Sequence, residues 1–226
     1  LALGYVPDAP YDVFVRHSRR RTQDQLERYS EIASVGRLGT DYSLLAKAIW
    51  TEATSDDSRH LRETQSLGLA YRPLYNDRLN ALLFYEQSTR QGETTRDRTK
   101  EQTLSAEGSY WMTSTVEMGL KFAQRHRLER TPPAAPVRSV TDLYQIRTTV
   151  QLISRLDFNA IYRRLFQKTT DLWQVGYQAS LGYRLIEDDP RWLAELGYRY
   201  ADYAPEDDPS DDAFIEGPFV RLTYLF

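Results

Sequence analysis

LWQVGYQASLGYRL, residues Leu172 to Leu185, decides the fold. Trp173, Val175, Tyr177, Ala179, Leu181, Tyr183 and Leu185 take every second position, with Gln174, Gly176, Gln178, Ser180, Gly182 and Arg184 between them. Side chains alternate across a β-strand, so the segment has one apolar face and one polar face. Wound as a helix, the same residues would be apolar all round without a coherent stripe.

The pattern recurs along the chain. Trp192, Ala194, Leu196, Tyr198 and Tyr200 alternate with Leu193, Glu195, Gly197 and Arg199, and Tyr144, Ile146, Thr148, Val150 and Leu152 with Gln145, Arg147, Thr149 and Gln151. Val116, Met118, Leu120 and Phe122 oppose Glu117, Gly119 and Lys121; Leu156, Phe158, Ala160 and Tyr162 oppose Asp157, Asn159 and Arg163. Leu67, Leu69 and Tyr71 oppose Ser66, Gly68, Ala70 and Arg72. The pattern is looser around Leu44 to Trp50, Leu79 to Tyr85 and Leu104 to Tyr110, where both faces carry large apolar residues, and in two opening strands near 11–21 and 26–37. The chain closes on FIEGPFVRLTYLF, Phe214 to Phe226, with Val220, Leu222, Tyr224 and Phe226 on one side and Phe219, Arg221, Thr223 and Leu225 on the other. About a dozen strands are predicted.

Charged residues make up 27% of the chain and no apolar run approaches the roughly 20 residues of a membrane helix, which excludes a helical membrane protein. A barrel is not excluded, because its strands need only alternate residues to be apolar. Sixteen tyrosines and four tryptophans are a heavy aromatic load for so polar a chain, and the girdles at two membrane interfaces would use them. Without cysteine there is neither a disulfide framework nor a thiolate metal site, and a net charge of −3 makes no electrostatic case for nucleic acid. The reading is an all-β, antiparallel up-and-down transmembrane β-barrel of about twelve strands over 11–226. Residues 1–10 form a lead-in that lacks the charged and apolar regions of a signal peptide, so a leader already removed or a longer parent protein is expected.

Connections are predicted to alternate in length. Short turns fall at Gly39 to Asp41, Pro73 to Asp77, Thr113 to Thr115, Ser154 to Arg155 and Glu187 to Pro190. Longer polar loops are expected at Thr54 to Glu63, Ser88 to Gln102, Leu128 to Thr141 and Ala204 to Ala213. Bacterial barrels have short periplasmic turns and longer external loops, which orients the chain and turns the acidic run Glu206 to Asp212 and the excursion Arg125 to Arg138 outward.

Two segments carry a family resemblance. SLGLAYRPLYNDRLNALLFYE, Ser66 to Glu86, and EGPFVRLTYLF, Glu216 to Phe226, resemble the carboxyl-terminal outer-membrane barrel domains of long, repeat-rich Gram-negative surface and envelope proteins. A strand ending on Phe226, with Val220, Leu222 and Tyr224 on the same face, resembles the signal by which the barrel-assembly machinery recognises its substrates. The resemblance implies the bacterial outer membrane, with its lipid and lipopolysaccharide, the assembly machinery and upstream domains or envelope proteins as partners; it transfers no catalytic residue.

The lumen-facing charges are the candidate site. Arg72, Glu107, Arg147, Asp157, Arg163, Arg184, Glu195, Arg199 and Arg221 lie on the polar faces, with Arg16, Lys47, Glu86, Glu117 and Lys121. Opposite charges across a narrow interior would pair into a plug, whereas a ring of one sign would select solutes. Neither a cofactor nor a metal is expected, since no two of His17, His60 and His126 share a ligand spacing. No catalytic residue is assigned: His17 and Ser18 are adjacent and point to opposite faces, and His60 is expected in a polar loop with Asp56, Asp57 and Ser58. The expected function is a membrane anchor or translocator domain and not an enzyme. The alternatives are a small diffusion pore or solute-specific channel and, in another class, an outer-membrane lipid hydrolase.

Overall fold

β-Branched and aromatic side chains suit a pleated surface, and a strand ladder satisfies backbone groups that hydrocarbon cannot. The computed structural model describes residues 2–5, 11–21, 25–55, 59–92, 98–130, 134–185, 192–201 and 216–224, and among them it contains strands and turns but no helix. The strands are β1 (Ala2–Tyr5), β2 (Tyr11–Arg21), β3 (Gln25–Arg37), β4 (Tyr42–Ser55), β5 (Arg59–Tyr71), β6 (Leu79–Gln91) and β7 (Arg98–Trp111). They continue as β8 (Val116–Arg130), β9 (Val137–Ile153), β10 (Leu156–Gln167), β11 (Leu172–Arg184), β12 (Trp192–Ala201) and β13 (Gly217–Tyr224). All belong to one sheet in sequence order, without a crossover. The twelve long strands β2 to β13 match the predicted up-and-down meander. Within the segment read as a lead-in, β1 pairs antiparallel with β2, from Ala2 opposite Arg16 to Tyr5 opposite Val13.

Burial is inverted relative to a water-soluble domain. The buried polar and charged residues are Ser88, Thr141, Asp142, Arg163, Gln178, Ser180 and Glu195, whereas the buried hydrophobic residues among those described are Ala123, Leu143 and Leu165 alone. Along β11, Gly176, Gln178, Ser180 and Gly182 are buried, while Tyr177, Ala179, Leu181 and Tyr183 between them are exposed. The hydrophobic effect would not hold such a molecule together in water, because the apolar surface stays outside. A hydrocarbon surrounding removes that penalty and leaves the polar face to pair with itself.

The apolar face has the length of a tilted transmembrane strand. On β4, Tyr42, Leu44, Ala46, Ala48 and Trp50 cover eight residue steps, about 26 Å along the strand, near the nine to eleven residues of a tilted transmembrane strand. Aromatic pairs stand on this face. Tyr42 packs on Tyr71 with ring centroids 5.0 Å apart, Phe166 stacks on Trp173 at 4.2 Å and Tyr177 on Tyr200 at 5.0 Å.

Two compact units divide the chain. The first comprises Leu1–Asp77, Ala81–Ala106 and Arg125–Val140. On its polar face Gly68 is buried, and a Cβ there would come within 3.2 Å of the Phe84 ring and 3.7 Å of Leu45. The large apolar residues that blurred the pattern of β4 and β6 therefore fill space over a glycine. The second unit comprises Arg78–Asn80, Glu107–Gln124 and Thr141–Phe226, and contains the three buried hydrophobic residues.

The connections differ from expectation. β4 runs to Ser55 and β5 starts at Arg59, so most of Thr54 to Glu63 is strand; likewise β6 reaches Gln91, β7 starts at Arg98, β8 reaches Arg130 and β9 starts at Val137. His60 is accordingly a residue of β5, and most of the Arg125 to Arg138 excursion is ladder. The reason is that polar side chains do not end a strand whose backbone is paired on both sides. Across these extensions they bridge one another, as Glu52 does with Arg28 at 3.4 Å and Arg59 at 2.9 Å. The parity of loop lengths is consequently weaker than the sequence suggests. Turns at 38–41, 72–78, 112–115 and 154–155 lie where predicted. Gly39 supplies a φ of +87° in the first of them. Glu187 to Pro190 and the acidic run Glu206 to Asp212 lie outside the described residues.

Candidate functional site

Register brings the polar-face charges together across strands. In the second unit, β12 sets Glu195 opposite Arg221 of β13 and opposite Gly182 of β11. Glu195 is 4% exposed and accepts hydrogen bonds from the Ser180 hydroxyl at 2.5 Å and from Arg221 Nε at 3.0 Å, with a further contact to Arg221 Nη2. Beside it, Gly197 has no room for a side chain: a Cβ would lie 2.5 Å from Ser180 Cβ, 2.6 Å from the Ala179 carbonyl oxygen and 2.8 Å from the Phe219 ring. Arg199 is drawn over that Phe219 ring, 4.2 Å from its centroid, which offers a cation–π contact.

The same pairing continues at other positions. Arg184 Nη2 donates to Asp157 at 2.9 Å and its Nη1 to the Ser154 carbonyl at 3.0 Å, tying β11 to the turn before β10. Arg147 stands 3.7 Å from Glu117 over Gly119, where a Cβ would approach the Arg147 Nε to 3.2 Å. Lys121 and Glu107 are 4.0 Å apart, and Thr149 donates to Asn159 at 2.9 Å. Arg163 is 2% exposed. A guanidinium or carboxylate removed from water is tolerable only when opposite charge or hydrogen bonds replace hydration, as Arg221 does for Glu195 and Arg184 for Asp157.

In the first unit Lys47 reaches Glu31 at 3.1 Å, and Arg16 lies 5.7 Å over the Tyr29 ring. Arg72, read as a lumen charge, instead lies in the turn after β5, where its backbone N–H donates to the Asp41 carbonyl at 2.7 Å. Of the predicted terminal signal, Val220 and Leu222 are 81% and 61% exposed on the apolar face, Tyr224 is the last residue of β13 opposite Trp192, and Phe226 lies outside the described residues.

Two features escaped the sequence reading. Asp142 is 4% exposed on β9 although its position falls on the apolar face; Gln124 donates to it at 2.8 Å and Lys168 reaches it at 2.9 Å. Arg164 lies 3.8 Å over the Trp173 ring. Their signal was the polar residue at an apolar position near a strand end, where the hydrocarbon gives way to headgroups. The second feature is a contact of His17 Nδ1 with the Ser30 hydroxyl at 3.0 Å. That partner sits across the strand pair, not next in sequence. Directly opposite Ser30 on β4 is Trp50. Among the described residues no cluster of His, Cys, Asp and Glu could hold a metal.

No protein-family model and no curated protein sequence matches this chain. Solved structures do. The NanC porin is similar over 94% of this chain and 98% of its own, with a TM-score of 0.50 and 8% identity. The ferric citrate transporter FecA in its unliganded form is similar over 88% of this chain, with a TM-score of 0.53 and 12% identity, and this chain spans 40% of that one. The translocator domain of the autotransporter NalP from Neisseria meningitidis aligns over 100% of this chain and 85% of its own at 12% identity, but its TM-score of 0.37 is too low to argue from. Inverted burial, a sequential antiparallel meander of twelve long strands and the likeness to the first two structures converge on one architecture: the chain has the fold of an outer-membrane β-barrel.

Proposed function

We propose that this barrel serves as a membrane anchor or translocator domain in a Gram-negative outer membrane, and that it belongs to a larger envelope protein of the repeat-rich kind its closing strand resembles. The observation that carries the reading is the packed polar face of the second unit, where Arg163, Gln178, Ser180 and Glu195 are each at most 6% exposed. The buried Glu195 carboxylate is engaged by Ser180 and Arg221, and Asp157 by Arg184, so these carboxylates are already satisfied within the face. No catalytic role is proposed for His17 and Ser30.

The partners follow from the apolar face. Lys100, His126 and Arg138 line a cleft of about 270 Å³ together with Gln102, Leu128 and Val140. These six fall at even-numbered positions, in step with exposed Leu104, Leu120 and Tyr144, while Arg127 and Ser139 complete the lining from the other parity. Basic groups above an apolar band suit lipid and lipopolysaccharide headgroups. The assembly machinery would read Val220, Leu222, Tyr224 and Phe226.

A small diffusion pore is the second reading, favoured by the looser polar face of the first unit. There β2 is exposed along its whole length. Conductance in planar bilayers decides between the two. A folded, heat-modifiable barrel that stays electrically silent is the expected result; stable, salt-dependent single-channel steps would overturn the anchor and establish the pore.

A further inference from the structure

Arginine is unevenly distributed over the polar face of the first unit. In the register of β4, β5 and β6, Thr51 lies opposite Arg62, and Arg62 lies directly opposite Arg90. One step outward, Ala53 lies opposite His60. These residues, with Arg98 and Thr99 of β7 and Gly92, line a cleft of about 290 Å³ near the ends of the strands. Among the described residues its lining holds three arginines, a histidine, Leu61 and Gln91 and no carboxylate, Arg98 standing at the rim in step with Lys100 and Leu104 of the other face.

Like charges set directly opposite each other on neighbouring strands repel and destabilise the pair. Elsewhere in this unit the polar face avoids that arrangement: Glu31 has Lys47 at 3.1 Å, Glu101 has Arg125 at 4.0 Å and Glu129 has Arg127 at 3.0 Å. An Arg–Arg opposition left beside an open cleft is relieved when an anion enters it. Guanidinium groups present planar pairs of N–H donors matched to two oxygens of one phosphoryl group, and the fork favours an oxyanion over a spherical halide. The Thr51 and Thr99 positions add polar groups at the wall.

We propose that Arg62 and Arg90, with His60, form a binding site for the phosphate group of a water-borne solute at the mouth of the polar face. The face decides the source: Arg62 and Arg90 share the side of the sheet with Thr51, opposite to the one that carries Trp50, Leu67 and Tyr85. A lipid phosphate would have to be met on that apolar side. The site depends on the barrel fold and is compatible with an anchor or a pore.

The test compares the full chain, folded in detergent, with Arg62→Gln and with Arg62→Gln/Arg90→Gln. Thermal unfolding is followed in sodium phosphate and in sodium chloride of matched ionic strength, and inorganic phosphate is titrated by calorimetry. Phosphate is expected to raise the midpoint of the native chain above that in chloride. The double variant should bind inorganic phosphate at least about tenfold more weakly, as expected for loss of charge-assisted hydrogen bonds. In chloride, the same variant should unfold at or above the native temperature, because a repulsion has been removed. A merely structural role for the arginines predicts the opposite sign, a variant destabilised equally in both salts, and that result would overturn the proposal. So would a native midpoint identical in phosphate and chloride. Stabilisation by micelles doped with phosphatidic acid, without any effect of inorganic phosphate, would assign the cleft to a lipid headgroup and overturn the solute. Arg28→Gln, whose side chain engages Glu52 on the other face, should bind phosphate as the native chain does; an equal loss there would reduce the effect to net charge and also overturn the site. Failure of the native chain to enter vesicles as a heat-modifiable species would instead strike the outer-membrane reading itself.

Discussion

Arginine placed at successive apolar-face positions of β11 should destabilise the barrel according to depth. Trp173, Val175, Tyr177, Ala179, Leu181 and Tyr183 share that face, and the ten residue steps from Trp173 to Tyr183 cover about 33 Å along the strand. A tilt of about 40° to 45° projects this to roughly 23 to 25 Å, the height of the apolar band of an outer-membrane barrel. Ala179 then lies about 10 Å from the Tyr183 end, close to the middle, and Leu181 only about 5 Å from it. Ala179→Arg should cost about 3 to 4 kcal/mol, Leu181→Arg about 2 to 3 and Tyr183→Arg about 0 to 1. Leu181 is 45% exposed between Phe158 and Leu196 of the adjoining strands, so an arginine has space there and the penalty is one of solvation, not of overpacking. On the other face, Gln178→Ser should cost no more than about 1 to 2 kcal/mol, from lost packing at a buried site. Reversible urea unfolding from lipid vesicles, read by tryptophan fluorescence and by electrophoretic heat-modifiability, measures all four. A flat profile along 179, 181 and 183 would refute the depth assignment, and a Gln178 change more damaging than Ala179→Arg would refute the assignment of the faces.

Further outcomes are expected at the polar face and the termini of the strands. Gly197→Ala forces a methyl against the Ala179 carbonyl at 2.6 Å and should destabilise by about 2 kcal/mol or more, whereas Gly39→Ala, with φ +87° and open space, should cost about 1 kcal/mol; equal unfolding midpoints would contradict the packing around Gly197. Glu195→Gln should lower stability by about 1 to 3 kcal/mol, and a double-mutant cycle with Arg221→Gln should return a coupling of about 1 kcal/mol; additive effects would mean that the pair contributes nothing. Phe226→Ala should reduce the amount of barrel recovered from outer membranes while leaving its refolding into vesicles nearly unchanged, a split seen by comparing membrane fractions with the refolding yield.

Much of the fold was legible because period-two alternation is a local property. Side-chain direction in a strand is set by the backbone of that strand, so the facing of Leu181 and Gln178, or of Glu195 and Leu196, could be read without knowing any neighbour. Where both faces carry bulk, as around Leu45 and Phe84, the pattern blurred; the hole that these residues fill belongs to Gly68, on the intervening strand. Strand ends were misplaced for a related reason. Polarity marks where hydrocarbon ends, but a ladder ends only where its hydrogen bonds do, and Arg28, Glu52 and Arg59 continue to bridge beyond the band.

By itself the sequence determined the class of structure, the number of long strands, the sides of most of them and the absence of a membrane helix, since each follows from composition and spacing along one strand. Tertiary structure decided which charges meet. Glu195 with Arg221, Asp157 with Arg184 and the opposition of Arg62 to Arg90 depend on the register between strands. Alternation has a period of two, so it fixes register only up to an even-numbered shift; shifting a strand by two residues preserves every apolar face while exchanging every charged partner.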